Sequence, residues 1–267
     1  MKRFEEMRVP IPEPSRLHDA RALVDSYDRA VAATPDPALL AEATRTIHEF
    51  YWIARACGPA TGTAEERLRV SLARALSGPL DRRKEDEASV RARNTQFELF
   101  VGAWLTAGGV EPRLGEPDLL LRIGTYRLGV AAKRVRSRRK LVQRAKEAAE
   151  QVRIRSGQGI VALNVDSLLD ELTLGGDAEA AGAEFNRSVP ELNQVHEALF
   201  ALPHVCGLLV LGTVVQWLTP GEEGRPSLHM YGFHRMHFFP NSDDEKSVYD
   251  EFLSSFRKVQ GERLSRF

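Results

Sequence analysis

Apolar residues recur at helical spacing through the first third of the chain, and in alternating or short continuous runs through much of the rest. Ser15 to Ala33 predicts a helix after a Pro-rich lead-in. Asp36 to Cys57 predicts a second, opening on Asp36-Pro37 and stopping at Gly58-Pro59. Thr63 to Ser77 predicts a third, with Thr63 and Glu66 spaced as a capping box and Gly78-Pro79 at its end. The charged run DRRKEDE, Asp81 to Glu87, marks a boundary between a helical region, residues 1–85, and a core domain, residues 86–267. In that core, Phe97, Phe100, Val101, Trp104 and Leu105 form one helical stripe that closes on Gly108-Gly109. A short strand near Val110, a strand pair, a helix from about Ser137 to Arg155 and the apolar strand Gly157 to Val165 follow. Asp166 to Ala183, rich in acids, Gly and Ala, predicts an insertion or loop. After it come a helix from Pro190 to Ala201, a buried strand Val205 to Leu218, a strand over LHMYGFHRMHFF, and a helix from Asp243 to about Val259. This order predicts a mixed α/β fold, with a central mixed sheet flanked by helices and a helical N-terminal extension.

Lys plus Arg and Asp plus Glu both total 37, so net charge says nothing about partners. Distribution says more. Between Asp118 and Glu147 there is no acid, while Arg122, Arg127, Lys133, Arg134, Arg136, Arg138, Arg139, Lys140, Arg144 and Lys146 fall there. Such a block is either a solvated face or a patch that meets an anionic partner. Cys57 and Cys206 lie far apart in apolar contexts, which suits a reduced compartment and neither a disulfide framework nor a thiolate zinc site. The opening MKRFEEMRVPIPEP lacks the apolar run of a signal peptide, and Val205 to Leu218 is too short to span a bilayer. A soluble cytosolic protein is expected.

Candidate chemistry concentrates in GEPDLLLRIGTYRLGVAAKRVRSRRK, Gly115 to Lys140. Only Gly124 and Thr125 separate Ile123 from Tyr126, and Gly in the first central position suits a two-residue type II′ turn. That turn fixes the register: 123 opposes 126, 121 opposes 128, and Asp118 opposes Ala131. Lys133 then shares the face of Ala131, diagonal to Asp118. A glutamate at 131 would complete a carboxylate pair beside an ammonium, an arrangement able to hold Mg²⁺ near a phosphate.

Pro117-Asp118 followed by Ala131-Ala132-Lys133, with Glu98 on the preceding helix, resembles the PD-(D/E)xK restriction-endonuclease-like superfamily, over roughly residues 96–165. The resemblance implies a restriction-endonuclease-like core and Mg²⁺- or Mn²⁺-dependent hydrolysis of DNA. It implies Asp118 and the backbone carbonyl of Ala132 as metal ligands, Lys133 as the residue stabilising developing charge, and Glu98 as a helical acid of the site. Arg134, Arg136, Arg138, Arg139 and Lys140 would then meet the phosphate backbone. Ala131 departs from the pattern, and three readings stand. An alanine has replaced a glutamate and inactivated a nuclease; catalysis has been lost naturally, leaving a nucleic-acid-binding or assembly subunit; or the acid has moved to Glu147. Helical phase opposes the last, since Glu147 points away from the stripe Leu141, Ala145, Ala148, Ala149 and Val152. Gln151, close to that stripe's edge, is placed to reach the site, but a helix-surface role is the favoured reading. His229, His234 and His237 read as exposed imidazoles on a strand rather than a zinc site. The N-terminal helices suit a homodimer contact or a defence-system partner, or serve as a scaffold. By analogy, restriction or anti-phage defence is the expected setting.

Overall fold

The computed structural model describes residues 15–29, 36–56, 63–169, 173–174, 178–188, 190–218 and 227–264, with Phe4, Glu6, Val9, Ile11 and Glu13 ahead of them. Cys57 and the Thr63 side chain lie outside the described residues. Helices α1 (Arg16–Arg29), α2 (Pro37–Ala56) and α3 (Thr63–Leu76) come first. Asp36 caps α2 by accepting the Ala38 N–H at 3.0 Å, as the Asp-Pro signal implies. Asp86 caps α4 (Glu87–Ala107), accepting the Ser89 N–H at 2.8 Å.

The strands are β1 (Arg113–Leu114), β2 (Leu119–Ile123), β3 (Tyr126–Arg134), β4 (Gly159–Asn164), β5 (Thr173–Leu174), β6 (Val205–Leu218) and β7 (Ser227–Phe238). They form one seven-stranded mixed sheet in the order β1-β2-β3-β4-β6-β5, with β7 paired to β6. β1, β2 and β3 are antiparallel; β3, β4 and β6 are parallel; β6 and β7 form a long antiparallel pair. Helix α5 (Leu141–Arg155) makes the crossover from β3 to β4. Helices α6 (Ala178–Ser188), α7 (Leu192–Phe200) and α8 (Asp243–Leu264) complete the fold. It is the expected mixed α/β class, a mixed sheet flanked by helices.

Two apolar clusters separate by the period of two along the strands. Val130 and Ala132 join the larger cluster with Phe50, Leu72, Phe97 and Trp104, so α2, α3 and α4 pack into the same core as the sheet. Ala131 joins the other, with Leu141, Ala145, Ala148 and Val152 of α5. The close approach of β3 to β4 requires glycine: a Cβ on Gly159 would stand 1.9 Å from the Gly129 carbonyl oxygen.

One expectation is corrected. The stretch read as a loop, Asp166 to Ala183, contains a helical turn at Asp166–Leu168, strand β5 and the start of α6. Its Gly and Ala content suggests irregular chain, yet Ala181 and Phe185, four residues apart, present one face to the second cluster. Phe185 stacks on Phe233 of β7 with ring centres 5.4 Å apart. Among the described residues no helix is long and apolar enough to cross a membrane.

Candidate active site

The β2–β3 ladder has the register the turn implies, from Ile123–Tyr126 through Leu121–Leu128 to Leu119–Val130. Gly124 has φ of 58°, the positive value required at its position. Pairing ends one residue short of Asp118. There the Asp118 N–H donates to the Val130 carbonyl at 3.2 Å, and Asp118 Oδ2 accepts the Ala132 N–H at 2.7 Å. Asp118 is thus tied to the strand on either side of Ala131 rather than ladder-paired with it.

Lys133 leaves β3 toward α5, where its Nζ donates to Gln151 Oε1 at 2.5 Å. Gln151 Nε2 in turn donates to Asp118 Oδ1 and to the Pro117 carbonyl, both at 3.3 Å. Gln151 is therefore a bridge inside the site and not a helix-surface residue. Gln151 stands at the edge of the apolar stripe of α5, from where its side chain reaches the end of the sheet.

Glu98, half-buried on α4, makes no side-chain hydrogen bond among the described residues. Burial and the charge of Asp118 raise its carboxyl to about 7, with Lys133 pulling the other way. Asp118 is also raised, by burial, against Lys133, the Ala132 N–H and Gln151. Two carboxyls that both resist ionisation share one locality with one ammonium, an arrangement in which added positive charge would favour their charged forms. Mg²⁺ is commonly held by one or two carboxylates plus waters and phosphate oxygens, so these donors fit it in kind. Among the described residues no group of three or more His, Cys, Asp and Glu stands ready for a metal. Ala131 is fully buried under α5 and adds no donor. Glu147 does not join the site: it accepts from Gln143 at 2.9 Å and Arg144 at 2.6 Å along its own helix.

The basic run divides. Arg139 and Lys140 are exposed in a helical turn after β3. Arg138 donates to the Leu168 carbonyl at 3.3 Å, and Arg136 pairs with Glu85 at 3.0 Å. Arg134 turns to the opposite face of the sheet from Lys133. It lines a small internal cavity with Glu42, Arg45, Glu49 and Gln96.

That cavity belongs to a buried ionic network for which the sequence reading assigned nothing. Arg93 pairs with Glu42 and Glu85, Arg82 pairs with Glu42 at 2.5 Å, and Gln96 donates to Glu49 at 2.6 Å while accepting from Arg16. Burial and the charge of Asp166 raise the Glu49 carboxyl to about 7. A signal exists in the sequence: Glu42, Arg45, Thr46 and Glu49 follow the spacing of a helix's inward stripe, with charges where apolar residues are usual. His234 and His237 are exposed on β7, while the His229 side chain lies outside the described residues. Comparison with protein-family models, with curated proteins and with solved structures finds no match to this chain.

Proposed function

We propose that this protein is a divalent-metal-dependent nuclease that hydrolyses DNA phosphodiester bonds on a restriction-endonuclease-like core. We assign Asp118 and Glu98, rather than Asp118 and residue 131, as its metal-holding carboxylates. The observation that carries this reading is the chain Asp118–Gln151–Lys133, set beside a Glu98 carboxyl that Asp118 helps hold near 7. Bound Mg²⁺ or Mn²⁺ would lower the pKa of a water and offset charge on the phosphate. Lys133 spends one of its three donors on Gln151, which leaves two for a phosphate oxygen as negative charge develops there. Gln151 fixes the ammonium relative to Asp118. Exposed Arg139 and Lys140 would meet backbone phosphates. A cytoplasmic setting in restriction or anti-phage defence is the one the resemblance suggests.

A second reading, a non-catalytic DNA-binding subunit of the same fold, is favoured by the burial of Ala131 and by the absence, among the described residues, of a third metal-ligating side chain beside Asp118 and Glu98. Cleavage of plasmid and linear DNA with Mg²⁺ or Mn²⁺ separates them. The protein as it stands should cut, and Asp118→Asn or Glu98→Gln should each reduce the rate at least a hundredfold with the fold intact. Cutting that needs Ala131→Glu would return the second carboxylate to position 131. DNA retention with no cutting in any of these forms would establish the binding subunit.

A further inference from the structure

Every arginine of the ionic network but one has an acceptor. Arg16 donates to backbone carbonyls and Gln96, Arg45 to the Thr213 carbonyl, Arg82 to Glu42 and Ser167, and Arg93 to Glu42 and Glu85. Arg134 has no hydrogen-bond or ion-pair partner among the described residues, although its charge lies among Arg82, Arg93, Glu42 and Glu49. These residues line the same small cavity. Thr46 Oγ1 and Arg82 Nε, in the same lining, are also buried without a hydrogen-bond partner. A guanidinium has only donors, so what Arg134 and Arg82 lack is an acceptor. Charge is unbalanced too: Arg16, Arg45, Arg82, Arg93 and Arg134 stand against Glu42, Glu49, Glu85 and Asp166. Burial, and then the like charges of Arg82 and Arg93, lower the Arg134 pKa to about 10, against Glu42 and Glu49. Glu49 is the anion most readily neutralised, its carboxyl raised to about 7, and once protonated it offers an O–H to the cavity. Size narrows the ligand. The cavity measures about 10 Å³, room for one object of water's size, which excludes phosphate, sulfate and carboxylates. It shares Glu42, Arg45 and Arg82 with a larger cleft of about 360 Å³, on which exposed Arg83 and Arg136 stand. Water in the small cavity would satisfy the donors and leave the charge; a monatomic anion answers both.

We propose that this cavity is a halide site, holding one chloride ion on the N–H groups of Arg134 and Arg82 and the hydroxyl of Thr46. The ion would tie α2, through Thr46, and the helical turn Arg82–Lys84 to the end of β3. It lies across the sheet from the Lys133 site and stands whether or not the chain cuts DNA. Thermal unfolding of the full chain is followed at pH 6.5 and constant ionic strength while sodium chloride replaces sodium gluconate, whose anion is too large to enter. Arg134→Gln and Thr46→Val are measured beside it. General salt effects fall equally on all three, so the difference between them reports the site. The midpoint of the unaltered chain should gain a few degrees relative to Arg134→Gln and saturate, as binding to the folded state requires. Thr46→Val, close in shape, should raise the half-saturating chloride concentration roughly tenfold, the scale of one hydrogen bond to a charged group. Bromide should replace chloride, and crystals of the unaltered chain grown in sodium bromide should show an anomalous peak between Arg134, Arg82 and Thr46. That peak needs no variant to fold. A site without anomalous signal, filled by water, overturns the proposal. So does a chloride response that is the same in the unaltered chain and both variants.

Discussion

Gln151 joins the two charged members of the candidate site through one amide, its oxygen to Lys133 and its nitrogen to Asp118. An amide can do this because it carries a donor and an acceptor on one planar group, and neither an ionised Glu nor Leu can do both. Gln151→Leu should therefore free the ammonium and lower the cleavage rate by ten- to a hundredfold. Gln151→Glu should weaken the rate less at low pH than at high pH, where the new carboxylate faces Asp118. A pH–rate profile of the two variants checks this, and a flat difference would remove Gln151 from the site. Asp118 and Lys133 were legible in the sequence because a two-residue turn determines which strand positions oppose and which share a face, whereas Glu98, on a helix, was singled out only by the resemblance. Gln151 was legible only in part, since its place at the stripe's edge fits both a surface role and a reach into the site, and residue spacing does not choose between them. Asp118 also steps out of the ladder one residue early, which counting from the turn cannot show.

The basic run is one stretch of sequence divided among three structural settings. A strand end places Arg134 inside, a connecting segment lets Arg136 find Glu85, and a helical turn brings Arg138 to the Leu168 carbonyl and exposes Arg139 and Lys140. Charge alone predicts equal roles for the five; partnering does not. Arg139→Ala with Lys140→Ala should weaken DNA binding equally for unrelated sequences and reduce the slope of log affinity against log salt by about 2. Arg134→Ala should leave that slope unchanged and lower stability instead. Fluorescence anisotropy across a salt series, beside thermal unfolding, distinguishes the two. The element most misread was α6, because glycine- and alanine-rich chain resembles a loop until its two inward residues meet a sheet. The central strands were legible for the opposite reason. Continuous apolar runs such as GIVALN, bounded by glycine, suit burial on both faces.

Across the whole molecule, the helical layer and the sheet are joined by an apolar cluster with an ionic network set into it. Removing one partner of such a network leaves a buried charge unpaired. Arg93→Met should thus cost about 3–5 kcal/mol in denaturant unfolding, far more than loss of an exposed pair such as Arg153–Glu150. Acid should reveal a second group. His48 accepts the Trp52 Nε1–H at 2.9 Å, and burial lowers its pKa to about 4, against a small opposing effect of Asp166. The unfolded chain takes up this proton near pH 6.5 and the folded chain only near 4. The stabilisation is therefore complete above 6.5 and lost as pH falls through 4, at most roughly 3 kcal/mol. Glu49 and Glu98 carry the opposite sign: raised to about 7, they stabilise fully below 4.5 and lose that contribution as pH rises through 7. His48→Gln should flatten the acid limb alone, as unfolding free energies at pH 4.5, 6 and 8 would show.

Lys133 and Arg134 are neighbours in the chain, yet one enters the candidate site under α5 and the other enters the ionic network under α2 and α4. The last residues of β3 therefore border two polar surroundings at once, one on each side of the sheet. Gly129 and Gly159, packed backbone to backbone, set the spacing of the strand that carries both side chains. A substitution at the end of β3 is thus read on two sides of the sheet, in the candidate site through Lys133 and in the ionic network through Arg134.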